Sequence, residues 1–583
     1  MSIPSISRAA AVAALVALTL APAARAQAPA QPEAASGRSD KTLVTARRAV
    51  VATANPVASQ VGADILAAGG SAADAAIAIQ LALTLVEPQS SGLGGGAFAL
   101  YWTEGRRRLT TFDARETAPG GAAPDMFLDP EGKPIPFMDG VLGGRAVGVP
   151  GTPRLIEALH RLHGRLPWAR LFDPVIRLAE QGFAMSPRLV TLLAQEKALR
   201  NDPVAATYFY QADGTPKPVG TVLRNPDLAT TLKTLQRQGV DAFYRGAIAQ
   251  DILSRVSQPP RPSSMTSEDL AGYRVKERPA VCGPYRGFEV CGMGPPSSGG
   301  VAVVQMLGLL ERFDLRATGA GTLASVHLFT QAHRLAFADR NRYLADPDFV
   351  PQPVAGLLAP AYLAQRSALI DPARDMGLAQ AGDPARRHAA LADDASPELP
   401  ATSHLIVVDR WGDAVSMTTT IEDAFGARRM VAGFLLNNEM TDFSFLPTQG
   451  GQPVANRVEA GKRPRSSMAP TMVFGPDRRL VMLVGSPGGS QIIGYVAQTL
   501  VGLIDWRQDP QAAVSAGHYG NPNGPTQLER GTPAADLADG LKAMGHADVR
   551  IVDMTSGLSA VVRDGRTWQA GVDPRREGRA IGF

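Results

Sequence analysis

The sequence predicts a large mixed α+β protein, and three observations carry that expectation. Apolar residues recur at helical spacing in "NPVASQVGADILAAGGSAADAAIAIQLALTLVEPQ" and across much of the middle, roughly 151–366. Two pairs of short strand-like runs are each joined by a tight turn, at "AVCGPYRGFEVCGM" and at "SHLIVVDRWGDAVSMTTTI". The 583 residues, 45% hydrophobic and 19% charged, suffice for one large domain or several ordinary ones.

The first residues read as an address rather than as fold. "MSIPSISRAAAVAALVALTLAPAARAQAPA" has a charge at Arg8, an apolar run from Ala9 to Leu20 and an A-x-A site at Ala24–Ala26. The run is short for a span of ~20 residues. Residues 1–26 are therefore expected to be a signal peptide. The mature chain would begin near Gln27, in the periplasm or outside, with no membrane span left. "QAPAQPEAASGRSDK" reads as a disordered leader. A formal charge of +4 with no basic block among aromatics excludes nucleic acid as the natural partner.

The first helical stretch is expected to break at Gly69-Gly70, with Ser71 capping the second helix. "SSGLGGGAFALYW" then enters a strand. Helix, glycines, strand is the wrong order for a dinucleotide loop, so Gly92, Gly94 and Gly95 read as close backbone packing. His160 and His163 share a helix face, without a third ligand, and are expected at the surface. No metal and no cofactor is expected. Cys282 and Cys291 flank a turn, where they form either a disulfide or two buried thiols. "DPARDMGLAQAGDPARRHAALADDASPELPA", about 370–401, reads as a mobile linker.

The linker ends where a hairpin begins. A three-residue loop, "RWG", favours a left-handed last residue, which suits Gly412. Asp409 then pairs with Asp413, Val407 with Val415, Leu405 with Met417, and Thr402 with Thr420. Threonine is an ordinary strand residue. As a nucleophile its hydroxyl needs a base. Cleavage of the Ala401–Thr402 bond would supply one, an α-amine, a group that ordinarily titrates near ~8.

"TSHLIVVDRWGDAVSMTTTIEDAFG" resembles the start of the small subunit of gamma-glutamyltransferases, a family of N-terminal nucleophile hydrolases. "VASQVGADILAAGGSAADAAIA", "SSGLGGGAF", "FDARETAP", "GPPSSGG", "ADRNRYLADPDF", "LLNNEMTDFS", "KRPRSSMAPT" and "GSPGGS" are similar to family motifs in family order. The resemblance implies a four-layer αββα sandwich built by two chains of one precursor. The large subunit would span 27–401 and the small catalytic subunit 402–583, held as a heterodimer. It implies a cut between Ala401 and Thr402, Thr402 as nucleophile, and Thr420 as its orienting partner. Gly488 and Gly489 would form the oxyanion hole. Arg115, Ser466 and Ser467 would hold the substrate α-carboxylate. Glu422, Glu439 and Asp442 would hold the α-ammonium, on the opposite side from Arg115.

The implied activity takes the gamma-glutamyl group from glutathione or related amides and passes it to water or an amino acid acceptor. Glu422 stands where many relatives carry Asn, Ile406 and Asp413 replace small polar residues, and "LPTQGGQPVANRVEAGK" is shorter than some lid-bearing loops. Those departures keep open an acylase acting on glutaryl or cephalosporin-type amides. A non-enzymatic extracytoplasmic binding protein is the alternative from another class.

Overall fold

The hairpin around Trp411 lies at the centre of the molecule. In the computed structural model, which describes residues 37–384, 390–399 and 401–583, strand Thr402–Val408 pairs antiparallel with Ala414–Thr420. Gly412 takes φ +85°, and the Asp409 N–H donates to the Asp413 carbonyl at 2.9 Å. The Asp409 carboxylate also accepts from the N–H groups of Trp411 and Asp413. The loop geometry fixes the register, and Thr402 falls opposite Thr420, with Leu405 opposite Met417 and Val407 opposite Val415. The expected signal peptide, residues 1–26, lies outside the described residues.

Strands from both ends of the chain complete the sheet. Its order is Arg579–Gly582, Val50–Thr53, Thr402–Val408, Ala414–Thr420, Gly96–Thr103, Arg108–Ala114 and Lys276–Arg278. A second seven-stranded sheet runs Val44–Ala46, Thr567–Val572, Ser559–Asp564, Leu480–Gly485, Thr471–Phe474, Phe288–Gly292 and Val281–Tyr285.

Side-chain alternation sorts the hairpin residues into two cores. Leu405, Val407, Val415 and Met417 pack with the helices Pro56–Ala67 and Ala72–Val86. Ile406, Val408 and Ala414 pack between the sheets, against Met472, Leu483 and Val561. Helices Gly299–Leu310, Leu323–Tyr343 and Ile492–Ile504 cover the far side of that core. The layers are helix, sheet, sheet, helix, which is the αββα sandwich.

Local chemistry explains the pieces that matter for the site. The break at Gly69-Gly70 is present, and Ser71 caps helix Ala72–Val86 in a capping box with Asp74. That helix is buried on every side, so its pattern is apolar all round rather than amphipathic. The glycine loop is close packing, as expected. A Cβ at Gly94 would lie 2.1 Å from the Leu435 carbonyl oxygen, and one at Gly95 2.0 Å from that of Thr420. Cys282 and Cys291 stand opposite each other on paired strands and are disulfide-bonded.

Two expectations fail. His163 is not a free surface residue: it is half-buried and stacks on Tyr101 with 3.7 Å between ring centroids. His160 is also half-buried, its Nε2 bonded to the Leu166 carbonyl. The linker is not a free tether along its described residues either. The Gly382 N–H donates to Asp339, Ala392 bridges to Val454, and the side chains of Asp394 and Glu398 are buried. Asp394 and Glu398 are polar because they meet buried partners, while Asp371, Arg374 and Asp393 in the same stretch meet water. No described helix is long and apolar enough to cross a membrane.

The Gly95 contact gives a direct check. Its neighbour is backbone, which cannot swing aside, so Gly95→Ala should destabilise the fold by about 1–3 kcal/mol through overpacking. A urea midpoint equal to that of the parent would show that the loop yields.

Candidate active site

Thr402 opens its strand with its side chain on the face that looks between the sheets, in step with Ile406 and Val408. It is 4% exposed. Across the ladder, the Thr420 hydroxyl lies 3.5 Å from that of Thr402. The same Thr420 hydroxyl donates to the Ala401 carbonyl at 2.7 Å and accepts from the Glu422 N–H at 2.9 Å. An O–H has one proton and two lone pairs, so these three contacts fix its direction. Thr420 thus polarises the carbonyl next to the Thr402 hydroxyl as well as touching that hydroxyl. Arg576 holds the Thr402 carbonyl from the far side.

Gly488 and Gly489 leave strand Leu480–Gly485 at φ +139° and +56°, conformations that suit glycine, and lead into helix Ile492–Ile504. Their N–H groups have no hydrogen-bond acceptor among the described residues. Backbone of Glu398 and Leu399 lies against Gly489, where an added Cβ would sit 2.8 Å from the Leu399 carbonyl oxygen.

Arg115, Glu439 and Asp442 converge as expected, but not on opposite sides of a gap. Arg115 ion-pairs directly with both acids, and its remaining donors go to the carbonyls of Pro464 and Arg465. The resemblance cannot reveal this pairing, because Arg115 and Glu439 are 324 residues apart in sequence. Burial opposes charge on Arg115, and the two carboxylates more than offset it, raising its pKa.

The acids carry the opposite strain. Burial raises the pKa of Glu439 well above the carboxylate range, and also that of Glu422, where Asp442, Asp423 and Glu439 add repulsion. Asp442 is pushed up to about 8, chiefly by burial and against the pull of Arg115. Glu422 sits at φ +76°, bonded through one oxygen to Asn438, while its other oxygen has no partner among the described residues. Glu116, next to Arg115, is fully buried against Glu439, and burial raises it to about 7. One arginine therefore faces four carboxyl groups, an arrangement that would take a cation.

Ser466 and Ser467 reach the same pocket. The Ser466 hydroxyl accepts from the Met468 N–H. The Ser467 hydroxyl bonds Glu398 and accepts from Arg340 at 2.7 Å. Glu398, Arg340 and Arg465 are site residues that the sequence motifs did not single out. The signal for Arg465 was its charge between Pro464 and the serine pair. Nothing local marks Glu398. With Glu398 and Leu399 in place, the cavity beside Thr402 is about 20 Å³, room for roughly one water and far less than an acyl donor needs.

A threonine at the head of a central strand, facing its partner's hydroxyl between two sheets, belongs to the N-terminal nucleophile hydrolase class of αββα sandwiches. Comparison narrows the class. The gamma-glutamyltranspeptidase family pattern matches residues 58–583. Over 556 residues the chain is 39% identical to a glutathione hydrolase proenzyme of Bacillus subtilis (strain 168), covering 93% of each. Its structure is similar to a cephalosporin acylase from Bacillus halodurans, with TM-score 0.80 and 26% identity over 95% of this chain and 99% of that one. It is also similar to a Helicobacter pylori gamma-glutamyltranspeptidase, with TM-score 0.53 and 34% identity over 60% of this chain and 97% of that one. The chain belongs to the gamma-glutamyltranspeptidase family.

The raised Asp442 yields a pH prediction. An unfolded Asp titrates near ~3.9, and the folded one near 8. The folded chain therefore binds the extra proton, and this stabilisation is complete below the unfolded value and lost as pH rises through the folded one. In the uncleavable Thr402→Ala chain, urea midpoints should fall between pH 4 and 8, and Asp442→Asn should make that slope shallower. An unchanged slope would show that Asp442 is ionised throughout.

Proposed function

We propose that this chain is a self-cleaving N-terminal threonine enzyme that takes the gamma-glutamyl group from glutathione-like amides and transfers it to water or an amino acid. The observation that carries the reading is the Thr420 hydroxyl, which donates to the Ala401 carbonyl 2.7 Å away while touching the Thr402 hydroxyl. In the precursor, Thr402 Oγ attacks the Ala401 carbonyl carbon. Thr420 stabilises the negative charge that develops on the oxygen. Breaking the C–N bond moves the acyl group onto Oγ, and water then hydrolyses the ester. Ala401 leaves as a carboxylate and Thr402 gains a free α-amine.

That amine becomes the general base for the second reaction. Thr402 Oγ attacks the gamma-carbonyl of the donor, and the leaving amine takes the proton. Gly488 and Gly489 offer N–H groups to the oxyanion, and Thr420 keeps the nucleophile aligned. Water or an acceptor amine then releases the acyl group. The large chain, 27–401, and the small chain, 402–583, stay together because their strands share both sheets.

Substrate ends are read by charge. Glu422, Glu439 and Asp442 take the α-ammonium, whose positive charge offsets their mutual repulsion. The carboxylate lies toward Ser466 and Ser467. Arg115 is tied to the acids, so its first task is to place them, and it reaches the carboxylate by releasing one. A disulfide at Cys282–Cys291 and the expected signal peptide favour the periplasm or the exterior.

The likeness to a cephalosporin acylase structure favours a second reading, with glutaryl-type donors. A glutaryl group has no ammonium and would bring another carboxylate toward buried acids. A gamma-glutamyl anilide is therefore expected to show the higher kcat/KM, and Asp442→Ala should reduce that preference. A better glutaryl substrate would establish the acylase reading. Thr402→Ala should run as one uncut band with no activity, and Thr402→Ser should mature. Thr420→Ala should slow maturation and turnover, on the order of 10- to 100-fold for a lost hydrogen bond of about 1.5–3 kcal/mol. Wild-type maturation in Thr420→Ala would remove the proposed role of its hydroxyl.

A further inference from the structure

Away from the threonine, the two sheets part at one corner, and the disulfide sits in the mouth between them. The edge strand of the first sheet, Lys276–Arg278, runs through Pro279-Ala280 into the edge strand of the second, Val281–Tyr285. Cys282 lies on that edge strand and its partner Cys291 on the next one in. Together with Trp102, Leu109 and Phe474 they line a groove of about 350 Å³, the size of a small-molecule site. Cys282 is exposed and Cys291 is buried.

Strand register builds the floor. Trp102 stands opposite Leu109 on one sheet and Phe474 opposite Glu289 on the other. Trp102 and Phe474 meet across the gap with ring centroids 4.7 Å apart. Glu289 is two residues from Cys291 on one strand and so shares its face. Two hairpin turns supply the rim. Arg107 precedes strand Arg108–Ala114 at φ +47°, and Arg478 precedes strand Leu480–Gly485 at φ +59°. Both arginines and Glu289 line the groove. None of the three side chains has an ion pair or hydrogen bond among the described residues. Their neighbours do: Arg108 pairs with Glu277 at 3.8 Å and Arg479 with Asp477 at 3.3 Å.

Three chemistries therefore share one small groove. Two free guanidiniums suit a carboxylate, a free carboxylate suits an ammonium, and a disulfide with an exposed member reacts with a thiol. A cysteine-type aminothiol carries all three complementary groups on adjacent carbons. Its thiolate attacks Cys282 Sγ, a new S–S bond forms, and the old one breaks. Cys291 leaves as a thiolate and takes a proton from water. Burial opposes that thiolate, and the guanidiniums lining the groove favour it. The thiol is the only co-reactant. A second thiol molecule can then release the first as its disulfide and leave Cys282 reduced.

We propose that this groove is a thiol-exchange site for small aminothiol carboxylates of the cysteine type. Arg107 and Arg478 hold the carboxylate, Glu289 holds the ammonium, and Cys282 accepts the sulfur as a mixed disulfide. None of these residues lines the pocket of Thr402. On the proposed activity, glutathione leaves a thiol of this class behind, but the exchange does not depend on that activity.

Exchange is read on the parent and on the uncleavable Thr402→Ala chain, by alkylating samples taken over time and measuring their mass. The probes are cysteine and cysteamine, which lacks the carboxylate, at equal thiolate concentration. Cysteine should open the disulfide faster by on the order of tenfold. Its rate should saturate with concentration, that of cysteamine should stay linear, and the first adduct should sit on Cys282. In Arg107→Gln/Arg478→Gln the two thiols should react at the same rate. Glu289→Gln should slow cysteine and leave 3-mercaptopropionate, which lacks the ammonium, unchanged. Equal rates in the parent, a disulfide that neither thiol opens, a first adduct on Cys291, or a difference that persists in the double variant would each overturn the site. So would exchange that is lost in Thr402→Ala. Exchange in a parent that cleaves no gamma-glutamyl anilide would sink the enzymatic reading and leave the groove standing.

Discussion

The contact on which the rest depends is the one between Thr420, Thr402 and the Ala401 carbonyl. It exists because a three-residue loop sets the hairpin register. A slip of one residue would turn Thr402 to the helix side of the sheet and place Leu405 and Val407 between the sheets. Both cores resist that slip, since Leu405 and Val407 pack on one side and Ile406 and Val408 on the other. The glycine loop reinforces it, because the backbone at Gly94 and Gly95 passes too near Leu435 and Thr420 to admit a side chain. Catalytic geometry is here a consequence of sheet packing rather than of a flexible loop.

Around that rigid centre the site is arranged by buried charge. Acids gather at one end, with Arg115 as their shared counterion, and arginines gather at the other, with Glu398 and Asp394 as theirs. Burial and mutual repulsion raise the pKa of the acids at the first end, so that end holds its carboxyl groups ionised more readily with a second cation beside them, which on the proposed reading is the ammonium of the donor.

Much of the fold was legible from local pattern. The hairpin pairing followed from loop length and Gly412, the helix break from Gly69-Gly70 and Ser71, and the packing role of Gly94 and Gly95 from element order. These features depend on neighbours in sequence. What escaped depends on distant ones. Arg115 reaches Glu439 and Asp442 across 324 and 327 residues, and Arg340 reaches Ser467 across 127. The linker misled for the same reason. Its Asp394 and Glu398 look like solvated polar sequence until Arg465 and Arg340, contributed from elsewhere, pair with them.

The tail illustrates how a precursor can shape its own site. Leu399 and Glu398 lie over Gly489 and Ser467, and little space remains beside Thr402. On the proposed reading, a tail lying there keeps water and other donors from the nucleophile while the first acyl transfer takes place. It also keeps two arginines paired during folding, when an unpaired buried guanidinium would be most damaging. On the proposed reading, the first substrate of Thr402 is a peptide bond whose acyl side carries a carboxylate on Ser467. In the proposed sequence one pair of hydroxyls serves both reactions, and the cut that frees the amine also frees the tail from Gly489 and Ser467, so the nucleophile gains its base and an open pocket in a single step.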